Sequence, residues 1–86
     1  MTIEWSEPFR RDFKRLPGKI QNLFEEKIRL AVSSRLNHPS LRIKKMQGHP
    51  SVWEGSVTMS YRFTFQKTAT GIFLRRIGTH NMLRNP

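Results

Sequence analysis

The stretch VWEGSVTMSYRFTFQKTATGIFLRRIG, Val52 to Gly78, decides the fold. It divides into three strands, VWEGSV (52–57), YRFTFQ (61–66) and GIFLRRIG (71–78), joined by short turns at TMS and KTATG. If Val57 pairs with Tyr61 and Gln66 with Ile72, the two-residue period of a strand sorts the side chains onto two faces. One face holds Trp53, Val57, Tyr61, Phe63, Phe65, Phe73 and Ile77, with Arg75 as its lone charge, and is the expected core. The other holds Glu54, Ser56, Arg62, Thr64, Leu74 and Arg76. In this register Arg62 lies opposite Arg76. Like charges so placed cost stability unless an anion sits between them, and a phosphate would serve.

Upstream, TIEW is a short strand candidate, and Ser6 is placed to cap a helix that tolerates Pro8 in its first turn. Phe9, Phe13 and Leu16 form one apolar stripe, which Pro17-Gly18 interrupts. A second helix fits Lys19 to about Ser33, with Ile20, Leu23, Phe24, Ile28 and Ala31 on one side. The short break predicts a helical hairpin, and the apolar sheet face is where it should pack. RLNHPS reads as a loop, LRIKKM as a short extended segment and Gly48-His49-Pro50-Ser51 as a turn. No repeat or linker divides the chain, so residues 1–86 are expected to form one domain.

A chain of 86 residues buries a modest core, about 60–65% of its unfolded surface, leaving little room for an internal cofactor. It contains no cysteine, which excludes disulfides and thiolate metal sites and suits a reducing cytoplasm. No apolar run approaches the ~20 residues that span a bilayer, and MTIEWSEPF lacks the apolar core of a signal peptide, so no membrane role is expected. The charge is uneven. Residues 1–26 carry five basic and five acidic side chains, whereas residues 27–86 carry eleven basic residues and one acid, Glu54. The formal net charge of +10 thus lies wholly in the C-terminal two-thirds. Such a surface fits a polyanion: nucleic acid or an acidic protein segment.

The third strand ends at Ile77, Gly78 turns the chain, and His80 emerges toward the arginine-bearing face. An imidazole exchanges protons near neutrality. Cleaving RNA through its own 2′-hydroxyl requires a base for that hydroxyl, an acid for the departing 5′-oxygen and cations for the charge gathered on phosphorus. His80, Glu54, Arg62, Arg76 and the Lys44-Lys45 pair offer these roles, while Glu54 could instead only pair with Arg62 or Arg76. A histidine at a strand exit is also compatible with a purely structural role. His38, His49 and His80 sit in separate loops without carboxylates at ligand spacing, which argues against zinc. His38-Pro39 and His49-Pro50 read as turn chemistry. The glycines are isolated, so no phosphate loop is present, and no nucleophile elbow appears. Trp53, Tyr61, Phe63 and Phe65 could stack bases, but theirs is the face apolar enough for a core.

FRRDFKRLP, HPSLRIKKMQG, VWEGSVTMSYRFTFQ and IFLRRIGTH, in this order, resemble toxins of bacterial type II toxin–antitoxin modules, in the RelE/ParE superfamily. The resemblance covers nearly the whole chain. Its most specific pieces are SYRFTFQ, similar to the strand that carries the superfamily's arginine, and GTHNML, similar to the C-terminal Gly-Thr-His segment of the YafQ branch. It implies an α+β fold: a small twisted antiparallel sheet with an N-terminal two-helix hairpin packed on one face. It also implies a metal-independent ribonuclease that enters the ribosome and cuts mRNA, with no cofactor, and a cognate antitoxin that neutralises it. Arg62 matches the phosphate-stabilising arginine and His80 the YafQ-branch catalytic histidine. Lys44 and Lys45 fall where the family places charged side chains that contact RNA or take part in catalysis. Arg42, Arg76 and Arg84 are further candidate RNA contacts, Arg84 equally a solvated tail. The chain departs from the YafQ branch at Lys44, Ser56 and Ser60, where that branch has two histidines and an aspartate. That thins the proton-transfer set and leaves Glu54 as the candidate base. The alternatives are a ParE-like DNA gyrase inhibitor, or a basic domain that binds RNA or antitoxin without chemistry.

Overall fold

The computed structural model describes Met1 to Pro86. Strand β1 (Thr2–Trp5) leads into helix α1 (Glu7–Lys14) through Ser6, whose Oγ accepts from the Phe9 amide at 3.1 Å. Pro8 lies in the first turn, where its missing N–H costs nothing. Helix α2 (Gly18–Ser34) follows after Leu16-Pro17, and the Gln21 side-chain Nε2 donates to the Phe13 carbonyl at 2.8 Å, fixing one helix against the end of the other. A single turn of 3-10 helix (Pro39–Leu41) precedes β2 (Lys44–Lys45), β3 (Trp53–Ser56), β4 (Arg62–Lys67) and β5 (Gly71–Gly78). A 3-10 turn over His80–Arg84 closes the described fold. No helix is long and apolar enough to cross a membrane.

The helices cover one sheet face. Phe9, Phe24, Val57, Phe63, Phe65, Ile72, Leu74 and Ile77 form the core cluster. The ring of Phe24 on α2 meets Phe63 on β4 edge-on at 5.4 Å, and Trp5 packs against Phe9, Phe13 and Phe24. Edge-on packing suits the aromatic quadrupole and locks helices and sheet at one spacing. Trp53, Tyr61, Phe63 and Phe65 therefore belong to the core side, as their alternation predicts. Lys67 covers the outer face of Trp53, its Nζ 3.9 Å from the ring centroid.

Two expectations require correction. The sheet is mixed, not wholly antiparallel: its order is β1-β5-β4-β3-β2, and β1 runs parallel to β5, with Thr2 opposite Gly71 and Trp5 opposite Leu74. A Cβ on Gly71 would overlap the Thr2 backbone, so glycine permits this close approach. The β3–β4 register follows the expected Val57–Tyr61 turn, with Ser56 opposite Arg62 and Glu54 opposite Thr64. The β4–β5 register does not. Gln66 faces Phe73, not Ile72, and a bulge between Phe65 and Thr64 then shifts the ladder so that Thr64 faces Arg76 and Arg62 faces Gly78. Arg62 and Arg76 are consequently not opposite each other.

The physical reason is the spacing of apolar side chains. Ile72, Leu74 and Ile77 are all buried, two and then three residues apart, and strict alternation cannot send all three inward. One extra residue at Arg75 resolves the conflict. It moves Phe73 and Arg75 off the expected core face and puts Leu74 into the core.

The second face is not open. Thr64 and Glu54 lie there yet are buried, because the chain from His80 to Pro86 crosses it. The Thr64 hydroxyl donates to the Pro86 carbonyl at 2.9 Å, and Arg75 Nε donates to the same oxygen at 3.0 Å. A Cβ added at Gly78 would meet the Met82 side chain at 3.4 Å, so Met82 sits close over this turn.

Candidate nucleic-acid interface

Only two ion pairs form in a chain with sixteen basic residues: Arg76 with Asp12, and Lys44 with Glu54. Asp12, on α1, accepts from Arg76 Nε, at 2.6 Å, from Arg76 Nη2 and from the Ile77 amide. That amide is free because β1 stops pairing at Leu74 and α1 takes over the β5 edge. The hydrogen bonds that Arg76 donates to the Asp12 carboxylate, aided by its charge, raise the Arg76 pKa further above its ordinary value against the opposing effect of burial. Arg76 is thus a fixed part of the frame. Lys44 Nζ lies 3.0 Å from the Glu54 carboxylate, whose side chain is 5% exposed against 69% for the lysine. The partner of Glu54 is therefore Lys44 and not Arg62 or Arg76.

Across the second face the register sets Lys44, Glu54, Thr64 and Arg76 in one row and Ser56, Arg62 and Gly78 in the next. Neighbouring rows on one face are about 6.6 Å apart, so Arg62 is within a diagonal of Glu54. Arg62 is half-buried in the ladder, with its strand partner Gly78 two residues before the exposed His80. The C-terminal turn that begins at His80 then divides the rest of the face into two clefts. One, of about 460 Å³, is lined by Lys44, Lys45, Met46, Gln47, Glu54 and Leu83. The other, of about 550 Å³, has Phe73, Arg75, Arg76, Arg84 and His49 in its wall.

No family model and no curated protein matches the chain in sequence. Solved structures do match in shape. YafQ from E. coli strain BL21(DE3) superposes with a TM-score of 0.80 at 19% identity, over 95% of this chain and 96% of the other. The RelB–RelE antitoxin–toxin complex from Methanococcus jannaschii gives 0.78 at 23% identity, over 95% of both chains. A YoeB/ParE toxin from Agrobacterium tumefaciens gives 0.77 at 16%, over 93% of this chain and 99% of that one.

The fold is RelE/ParE-like. Within that RelE/ParE-like frame the candidate residues fall into three groups. Arg62 and His80 share the end of the β4–β5 hairpin where β5 exits. Lys44, Lys45 and Glu54 share the smaller cleft, and Arg76 and Arg84 share the larger. Arg42 belongs to neither; it is exposed, in the left-handed conformation that ends the Pro39–Leu41 turn. The sequence reading missed Phe73, Arg75 and His49 as parts of this face. The two-then-three spacing of Ile72, Leu74 and Ile77 was the available signal for the first two. His49 reaches the larger cleft through a loop whose path no local pattern specifies.

Proposed function

We propose that the protein is the toxin of a type II toxin–antitoxin module and acts as a ribosome-dependent endoribonuclease on mRNA. The observation that carries this reading is the Arg62–Gly78 pairing, which brings a guanidinium without a carboxylate partner and the imidazole of His80 to one end of the basic face. In the proposed reaction Arg62 holds the scissile phosphate and offsets the charge that builds on it. His80 transfers a proton to or from the reacting oxygens. Glu54 is the carboxylate of this face; a phosphate that draws Lys44 away frees it to accept the 2′-hydroxyl proton. Lys44, Lys45, Arg42, Arg76 and Arg84 extend the positive surface along the strand of RNA. So few proton-transfer groups accord with a need for the ribosome to align the substrate. An acidic antitoxin segment is the proposed neutralising partner, matching the +10 charge.

The test is to add purified protein to ribosomes carrying a defined mRNA and map new 5′ ends by primer extension. His80→Ala should lower cleavage by roughly 10²- to 10⁴-fold and Arg62→Ala by roughly 10²- to 10³-fold. Cuts of equal strength from wild type and His80→Ala would remove His80 from the chemistry. No cuts from either would favour the ParE-like reading, checked by DNA gyrase supercoiling, or binding alone.

A further inference from the structure

The β5 bulge does more than bury Leu74. By setting Thr64 opposite Arg76, with Arg75 as the extra residue, it brings side chains of two neighbouring strands beneath the C-terminal segment. Thr64 is fully buried. Its Oγ1 accepts from the Arg76 amide at 3.1 Å and donates to the main-chain oxygen of Pro86 at 2.9 Å. A hydroxyl carries one hydrogen, so with the amide served that hydrogen is committed to Pro86. Arg75 Nε reaches the same oxygen at 3.0 Å, and Gln66 Oε1 accepts from Arg75 Nη1 at 2.9 Å. Arg76, itself pinned by Asp12, adds a long contact of 3.4 Å to the Asn85 carbonyl. These bonds bear on where His80 stands. Its side chain is exposed, so its position is set by the backbone on either side. Upstream, Gly78 is held in the ladder opposite Arg62. Downstream, the turn is closed by bonds of its own, from the Met82 amide to the Thr79 carbonyl at 3.0 Å and from the Asn85 amide to the Met82 carbonyl at 3.1 Å. The next hydrogen bonds to the sheet are those at Asn85 and Pro86. A lone 3-10 turn is weak, and held at one end only it would pivot.

We infer that Thr64 is a positioning residue for His80: its buried hydroxyl moors the C-terminal segment at Pro86 and so holds the histidine at the Arg62 end of the face. The use made of His80 rests on the ribonuclease reading, whereas the mooring is a property of the fold. Thr64 has the larger part in it because a hydrogen bond out of water keeps its strength. Arg75 is only half-buried, so water competes for its donors. Position counts steeply in proton transfer, since a displacement of about 1 Å costs about 10²-fold in rate. The same bulge therefore links two things far apart in kind: the packing of Leu74 in the core and the placement of a group at the surface.

The experiment compares wild type, Thr64→Val and Thr64→Ser in the full chain. Valine keeps the branched shape and the strand preference but has no hydroxyl, and serine keeps the hydroxyl. Circular dichroism and urea midpoints establish that each is folded. Nitrogen-15 relaxation then reads the order of the backbone from His80 to Asn85. In Thr64→Val the heteronuclear NOE of this segment should fall while β4 and β5 hold theirs, and Thr64→Ser should match wild type. In the ribosome assay, run over a range of ribosome concentrations, Thr64→Val should lower the maximal cleavage rate about 10- to 100-fold at little-changed half-saturation, and Thr64→Ser should restore it. Two glycines inserted between Arg84 and Asn85 slacken the mooring without touching the sheet, and should reproduce that loss even where Thr64→Val proves unstable. An equally ordered segment in Thr64→Val would overturn the mooring. A loosened segment that cleaves at the full rate, or a loss confined to half-saturation, would overturn the positioning role while the ribonuclease stands. No cleavage by wild type, with the segment loosened in Thr64→Val, would sink the ribonuclease reading and leave the mooring in place.

Discussion

Asp12 serves three donors with two oxygens, two on the Arg76 guanidinium and one the Ile77 amide, and so settles three problems of the fold at once. It neutralises Arg76, satisfies a β5 amide that β1 cannot reach, and ties α1 to the sheet edge. Asp12→Asn removes the charge and turns one of the acceptor positions into a donor facing the guanidinium. The expected loss is about 1–3 kcal/mol, read from the urea midpoint at unchanged m-value. The sign of the pH dependence follows from the raised Arg76 pKa: its contribution is complete below the unfolded-state value and fades only as pH rises through the folded one. Both lie in strong alkali, so from about pH 6 to about pH 9 the stability lost in Asp12→Asn should contain no term from Arg76 titration. Nothing in the sequence announced this contact. Asp12 was one polar residue among several on an amphipathic helix, and its partner is 64 positions away.

At the scale of elements, local rules accounted for most of the secondary structure. The Ser6 cap, Pro8 in the first turn, the break at Pro17 and the third strand from Gly71 to Gly78 each follow from chemistry confined to a few residues. What failed was the choice between two readings of GIFLRRIG. Ile72, Phe73 and Leu74 are all apolar, so alternation among them cannot say which turn inward, and Ile77 read in strict alternation points to Phe73, which the bulge overrules. The parallel β1–β5 pair was also hidden, because a four-residue strand carries no mark of its partner. Gly71 is where that pairing can be tested. Gly71→Ala should cost about 1–3 kcal/mol by crowding the Thr2 backbone, with β1 amides losing hydrogen-exchange protection before those of β4. Equal loss in both strands would mean that β1 is integral to the cooperative unit.

Over the whole molecule the governing quantity is uncompensated charge. With only two ion pairs, most of the +10 is free to meet phosphate, so affinity for single-stranded RNA should fall steeply with salt. The slope of log affinity against log salt should be about −0.7 for each phosphate engaged, and Arg84→Ala should make it shallower by about that amount. A salt-independent affinity would show that charge is not what holds the strand. The basic bias was plain in the sequence. The division of the face into two clefts was not, since it depends on where the C-terminal turn lies, and that path is set by contacts such as Thr64 with Pro86. The β1–β5 pair has one more consequence, for the order of synthesis. β1 leaves the ribosome first and finds its only sheet neighbour in β5, which is made after every other strand. Until then the edge for β1, the amide for Asp12 and the strand that delivers His80 are all missing. A nascent chain therefore cannot close its sheet until its last strand has been made, and the earliest-made segment must wait longest for its partner.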